Sequence, residues 1–171
     1  MSDGYVCSEC GLDYDTISPG DAVVAVRSFP RRFREAFDDV DADVLHRRPD
    51  AKTWSAVEYT AHVADIFGVF TETFSRVRAD RDAEVAGLWW NADERAAQQR
   101  YNDRSPQDAL GALATAATAL ADELDKVGAS GWKQAAAFPW GERDLLTMAR
   151  NAVHEGAHHL RDVGKVLSAV S

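Results

Sequence analysis

The sequence predicts an all-α fold, a four-helix bundle preceded by a short N-terminal metal-knuckle segment. Three observations predict it. Four long stretches carry apolar residues three or four apart, the period of a helix with one buried face. Two of these stretches open on Ser-Pro, at Ser18-Pro19 and Ser105-Pro106, with Ser in the N-cap position and Pro in the first helical one. No stretch reads as a credible strand. The 171 residues suit a single domain with a real core. The expected division is a knuckle over residues 1–17 and a bundle over residues 18–171.

The knuckle is Cys7-Ser-Glu-Cys10-Gly11. C-x-x-C followed by Gly is half of a zinc ribbon, the Gly letting the backbone wrap the second sulfur. One knuckle supplies two ligands and zinc takes four; there is no second C-x-x-C. A redox dithiol and a bare exposed pair are the other readings. The first helix starts at Ser18, with Asp21 at the positive end of its dipole. It buries Val23, Val26, Phe29, Phe33 and Phe37, and Pro30 is expected to kink it or remove one bond. A loop through Arg47 to Thr53 follows. The second helix is expected from Thr53 to about Ala79, apolar nearly all round and so central, with His62 in its buried part. Residues 80–104 are polar apart from Leu88-Trp89-Trp90. The third helix runs from Ser105 through Leu113 and Leu120 to a cap at Gly128. Residues 132–141 read as a loop, with Phe138 and Trp140 placed to roof a pocket. The fourth helix is expected from about Glu142 to Ala169.

Charge excludes some functions. The net charge of −9 argues against a nucleic-acid phosphate footprint, which needs a basic face. No apolar run reaches the roughly 18 residues that span a bilayer. The N-terminal residues have neither a basic region nor an apolar one, so the expected compartment is the cytoplasm. With two cysteines, a disulfide scaffold is not expected.

Three of the five histidines lie in the last helix, in Asn151-Ala-Val-His154-Glu155-Gly-Ala-His158-His159. Residues four apart stack on one helix face, so this segment offers two ligand pairs, His154 with His158 and Glu155 with His159. At about 100° per residue the two pairs point in different directions. Glu155 and His159 fall on the border of the buried face. His154 and His158 fall on the solvent face unless something folds over them. A local Glu155–His159 contact with two solvated histidines is the plainer reading, as a hydrogen-bonded core role is for His62.

Trp54-Ser55-x-x-Glu58-x-x-x-His62 opening the second helix, together with the paired ligands on the last, resembles the DinB superfamily. That family includes the YfiT-like proteins and relatives of mycothiol-dependent maleylpyruvate isomerase. The resemblance covers about residues 20–170 and implies a bundle with unusual connections that holds a divalent metal on three side chains. His159-Leu-Arg-Asp162-Val163 matches the family's last-helix segment, which places Glu155 where many members have His and the mycothiol-dependent isomerases have Glu. The implied inner site is His62, Glu155 and His159, serving both as metal ligands and as the catalytic residues. Two imidazoles and a carboxylate suit zinc, with nickel or manganese as other candidates, and leave positions open. Asp162 or Asp65 is expected to orient one of the histidines.

That site leaves His154 and His158 unused and the knuckle two ligands short. Together Cys7, Cys10, His154 and His158 make a Cys2His2 set for a structural zinc. The function expected from the resemblance is S-transfer or isomerisation of a small electrophilic substrate, using mycothiol or another low-molecular-weight thiol. The alternative is a non-catalytic metal-binding stress-response bundle. Neither nucleic acid nor membrane is an expected partner; a homodimer is.

Overall fold

The computed structural model describes residues 5–171. Six helices account for most of it: α1 (Pro19–Phe37), α2 (Ala42–Leu45), α3 (Ala56–Ala79), α4 (Ala92–Gln98), α5 (Pro106–Asp125) and α6 (Leu145–Val170). The four long ones form a bundle. α1 packs on α5 and α6, and α3 packs on the same two. Around the bundle the order is therefore α1, α5, α3, α6, with α1 and α3, consecutive among the long helices, facing each other across a diagonal. The rings of Phe29 and Phe67 close that diagonal at 6.0 Å between centroids.

Capping places the helix starts where short side chains can take an orphan N–H. Ser18 accepts from the Asp21 N–H at 3.2 Å while Asp21 accepts from the Ser18 N–H at 3.0 Å, a capping box with Pro19 in the first turn. Ser105 caps α5 by accepting from the Asp108 N–H at 3.0 Å, with Pro106 in the first turn. α3 begins at Ala56 with Ser55 as its cap, two residues after the expected cap at Thr53. Thr53 spends its hydroxyl on Asp50 at 2.9 Å, which leaves Ser55 as the cap. α5 stops at Asp125, short of Gly128. α1 runs unbroken through Pro30. The ring removes one N–H, but Phe29 and Phe33 on either side of it are fully buried, and their packing holds the helix.

One expectation of an all-helical chain is corrected. Residues 135–144 form a small antiparallel hairpin, β1 (Ala135–Phe138) and β2 (Gly141–Asp144), with Phe138 paired to Gly141. Its two-residue turn, Pro139-Trp140, closes on Gly141 at φ +109°, a backbone state that glycine adopts without strain. The hairpin takes Glu142 to Asp144 away from the fourth helix, and Asp144 then caps α6 by accepting from the Thr147 N–H at 2.8 Å.

α6 approaches α1 closely at Gly156. A methyl group there would lie 2.6 Å from two ring carbons of Phe29. The absence of a side chain at 156 thus sets how deeply α6, and the residues beside Gly156, sit in the bundle. Residues 5–17 form a tight turn laid along α6. Cys7 and Leu12 are joined by an N–H to carbonyl bond of 3.0 Å, and Gly11 at φ +74° donates to the Cys7 carbonyl at 2.8 Å. Arg150 donates to the Ile17 carbonyl at 3.1 Å, and Lys165 pairs with Glu9 at 3.2 Å. Among the described residues, no helix is long and apolar enough to cross a membrane.

Candidate metal centre

α3 and α6 are neighbours, and their facing turns carry His62, Glu155 and His159. The start of α3 is fastened at several points. Ser55 and Glu58 form a capping box, and Glu58, 2% exposed, also takes a two-pronged hydrogen bond from the Arg48 guanidinium. The Ser55 hydroxyl donates to Asn102 at 2.6 Å. Ser55 and Glu58, which stand out in the sequence beside His62, are thus anchors that set the first turns of the helix. His62 follows one turn later, 5% exposed.

The three side chains converge. His62 Nε2 lies 3.5 Å from Glu155 Oε2, and His159 Nε2 lies 3.3 Å from the same oxygen. The two imidazole rings meet edge to face at 4.9 Å. One donor atom from each residue lies within 4.8 Å of the others. These separations are long for hydrogen bonds, which cluster near 2.9 Å. They are close to the edge of a tetrahedron of nitrogen and oxygen ligands, about 3.3 Å for bonds of about 2.0–2.1 Å to zinc.

Proton placement points the same way. His159 Nδ1 is 3.1 Å from Asp162 Oδ2. An N–H donated there leaves the Nε2 lone pair facing the Glu155 carboxylate, and only positive charge between them relieves the repulsion. Burial disfavours a charged His159 ring, yet hydrogen bonds to Asp162 and Glu155 outweigh burial and hold its pKa up at about 9. Burial likewise opposes the charge of Glu155, and His159 and His62 outweigh it, holding the carboxyl well below the usual range. The ligand set fits a cation, which a proton on His159 or a divalent metal can supply.

Aromatic rings wall the site. Trp54 lies 5.1 Å from the His62 ring, Trp90 meets its edge at 5.9 Å, and Tyr59 stacks on His159 at 5.3 Å. Glu155 is 30% exposed, so one side is open to solvent. Trp90 carries no periodic signal in the sequence. Tyr59, one turn before His62 on α3, does, and helical spacing from His62 finds it. Asp65 is not a partner of either histidine. It accepts from Arg95 Nε at 3.0 Å and from the Tyr101 hydroxyl at 2.7 Å, tying α3 to the 92–104 segment.

The other set also comes together. Cys7, Cys10, His154 and His158 each present one donor atom within 4.8 Å of the rest. Both cysteines are free thiols. The outer pair of histidines does lie on the outer flank of α6, but residues 5–17 cover it. His158 reaches both sets: its Nδ1 is 3.6 Å from Cys7 Sγ, and its Nε2 is 3.4 Å from Asp162, the carboxylate that holds His159. Of Phe138 and Trp140, expected to roof a pocket, Trp140 does line one, apart from the metal centre. Trp140 lines a groove of about 730 Å³ with Tyr5, Tyr14, Arg150 and His154, and the lining includes none of His62, Glu155 and His159.

A family profile described as the DinB superfamily matches residues 25–163. No curated protein matches the chain. Two solved structures share the fold. YfiT from Bacillus subtilis, described as a probable metal-dependent hydrolase with an unusual four-helix bundle topology, aligns with a TM-score of 0.77 at 12% identity over 89% of each chain. A mycothiol-dependent maleylpyruvate isomerase aligns with a TM-score of 0.70 at 11% identity. That alignment covers 88% of this chain and 62% of the isomerase, which is the longer protein. At these identities the likeness is one of fold.

Proposed function

The chain belongs to the DinB superfamily, and on that premise we propose that it is a divalent-metal-dependent enzyme that uses a low-molecular-weight thiol, mycothiol first among them, for S-transfer to or isomerisation of a small electrophile. The observation that carries the reading is the convergence of His62, Glu155 and His159 between α3 and α6, with donor separations of 3.3 and 3.5 Å. Glu155 in the carboxylate position is the feature that the resemblance ties to mycothiol-dependent isomerases rather than to other members.

His62 and His159 would hold the ion through Nε2, and Glu155 through Oε2. Three protein ligands leave a fourth position for an exogenous group, the arrangement of catalytic rather than structural sites. A divalent ion bound there supplies Lewis acidity, which keeps a thiol as thiolate near neutral pH. The protein's own residues do the rest. Asp162 accepts from His159 Nδ1, fixes the tautomer and aims Nε2 at the ion. Glu155 remains ionised throughout the physiological range. Trp54, Tyr59 and Trp90 keep water from the buried side and hold both rings in place. The open side beside Glu155 admits thiol and substrate.

The test is thiol-dependent turnover of a small electrophile such as maleylpyruvate, with and without chelator, in the wild type and in His62→Ala. Turnover that needs both thiol and metal, and that falls at least about 100-fold in His62→Ala, is the expected result. Metal bound at full occupancy with no turnover on any thiol would overturn the reading and leave a metal-binding bundle without chemistry.

A further inference from the structure

We propose that Cys7, Cys10, His154 and His158 form a second, structural zinc site that clips the N-terminal segment onto the outer flank of α6. This set is separate from the inner three residues and closes with four protein ligands of its own.

The donors are of the right kind and spacing. C-x-x-C at one end and H-x-x-x-H at the other present two sulfurs and two imidazoles, a full tetrahedral complement. All four donor atoms lie within 4.8 Å of one another. Cys7 Sγ and His158 Nδ1 are 3.6 Å apart. A tetrahedral zinc with sulfur at about 2.3 Å and nitrogen at about 2.0–2.1 Å separates such a pair by about 3.6 Å. His154 Nε2 is buried and has no hydrogen-bond partner among the described residues. Buried polar atoms rarely go unpaired. Its ring packs edge to face with Tyr5 at 6.2 Å and against Tyr14 at 5.7 Å, so it cannot swing out to water without breaking that packing.

The segment also needs a staple. Residues 5–17 bury Cys7, Tyr14 and Ile17 and little else. Segments with so small a core stay folded by disulfide or metal rather than by apolar burial. A disulfide between Cys7 and Cys10 would close the knuckle on itself and leave both histidines without a role. Zinc uses all four residues and joins sequence positions about 150 apart.

Four ligands leave no open position, so the site is structural. It carries α6 between two ligand sets, and the shared carboxylate of Asp162 touches a histidine of each.

The test uses the full chain. Zinc per chain is counted in the wild type, Cys10→Ser, His158→Ala and His62→Ala. Cys10→Ser and His158→Ala are each expected to lose about one zinc, with helical content by circular dichroism unchanged. His62→Ala is expected to keep that zinc, so this site and the inner one fail independently. Cobalt substitution of the wild type serves if either variant folds poorly. Tetrahedral d–d bands together with a thiolate-to-cobalt charge-transfer band, lost on alkylating the cysteines, are expected. Zinc content unchanged in both variants, or a cobalt spectrum with no thiolate band, would overturn the proposal.

Discussion

Two turns of α6 carry both ligand sets, offset by one residue. His154 and His158 face outward; Glu155 and His159 face the bundle. The inner set draws its third member, His62, from a largely buried neighbouring helix whose first turn is fastened by Ser55, Glu58 and Arg48. Aromatic rings hold its imidazoles, so packing positions the donors before any ion arrives. The outer set draws its cysteines from a short segment with few apolar contacts, and there the ion would do the positioning. Donor chemistry follows the same division. Two imidazoles and a carboxylate leave room for a reactant, whereas two thiolates and two imidazoles do not. On this reading a one-residue step along a helix would be enough to separate an open site from a closed one.

Asp162 is where that separation can be broken, since its Oδ2 lies 3.1 Å from His159 Nδ1 and 3.4 Å from His158 Nε2. Asp162→Asn is expected to weaken inner-site metal affinity about 10- to 100-fold, the usual cost of losing a carboxylate behind a ligating histidine. The zinc of the outer set, with three other ligands untouched, is expected to weaken less. Competition titration against a zinc indicator measures both. Equal weakening would mean that the two sets act as one.

Gly156→Ala sharpens the contrast from the bundle side. A methyl group would overlap the Phe29 ring, and overpacking of that kind costs about 1–3 kcal/mol. Alanine's better helix propensity returns up to ~1 kcal/mol. Denaturant unfolding should show the net loss, with inner-site metal affinity reduced and outer-site zinc retained.

The smallest expected effect is on pH dependence. In metal-free protein His159 titrates near 9 against an ordinary 6.5, so its contribution to stability is present below about pH 6.5 and is lost as pH rises through about 9. Cys7, held at about 5, acts in the opposite sense: its contribution is full above its ordinary pKa and is lost as pH falls toward 5. In chelated Cys7→Ser protein the Cys7 contribution is removed, and Tm is expected to fall between pH 6.5 and 9 as the His159 contribution is lost. Metal-loaded protein should show inner-site affinity rising over the same range, because the ion displaces the His159 proton.

Much of this was legible in the sequence where local chemistry decides. Ser-Pro starts, apolar spacing and the angular offset between the two histidine pairs all depend on residues within a turn or two of one another. The hairpin was not legible, because Ala135 to Ala137 have no strand preference and read as loop; what makes them a strand is pairing with β2. Nor was the diagonal placement of α1 and α3, which depends on packing partners far apart in the chain. The cap of α3 lies two residues past Thr53, a good cap by type, because the Thr53 hydroxyl is taken by Asp50. At the candidate site the ligands carried helical spacing, and Tyr59 could have been found from it. Trp90 sits in an irregular segment and only the fold brings it to His62. Asp162 and Asp65 were equal candidates in the sequence. The Arg95 and Tyr101 partners of Asp65, thirty or more residues away, separate them.

The most direct measurement is the number of metal ions per chain by native mass spectrometry after loading with zinc, for the wild type and for His62→Ala. Two ions in the wild type and one in His62→Ala is the result this account predicts. One ion in both proteins would contradict the inner centre, and none in either would contradict both ligand sets on α6.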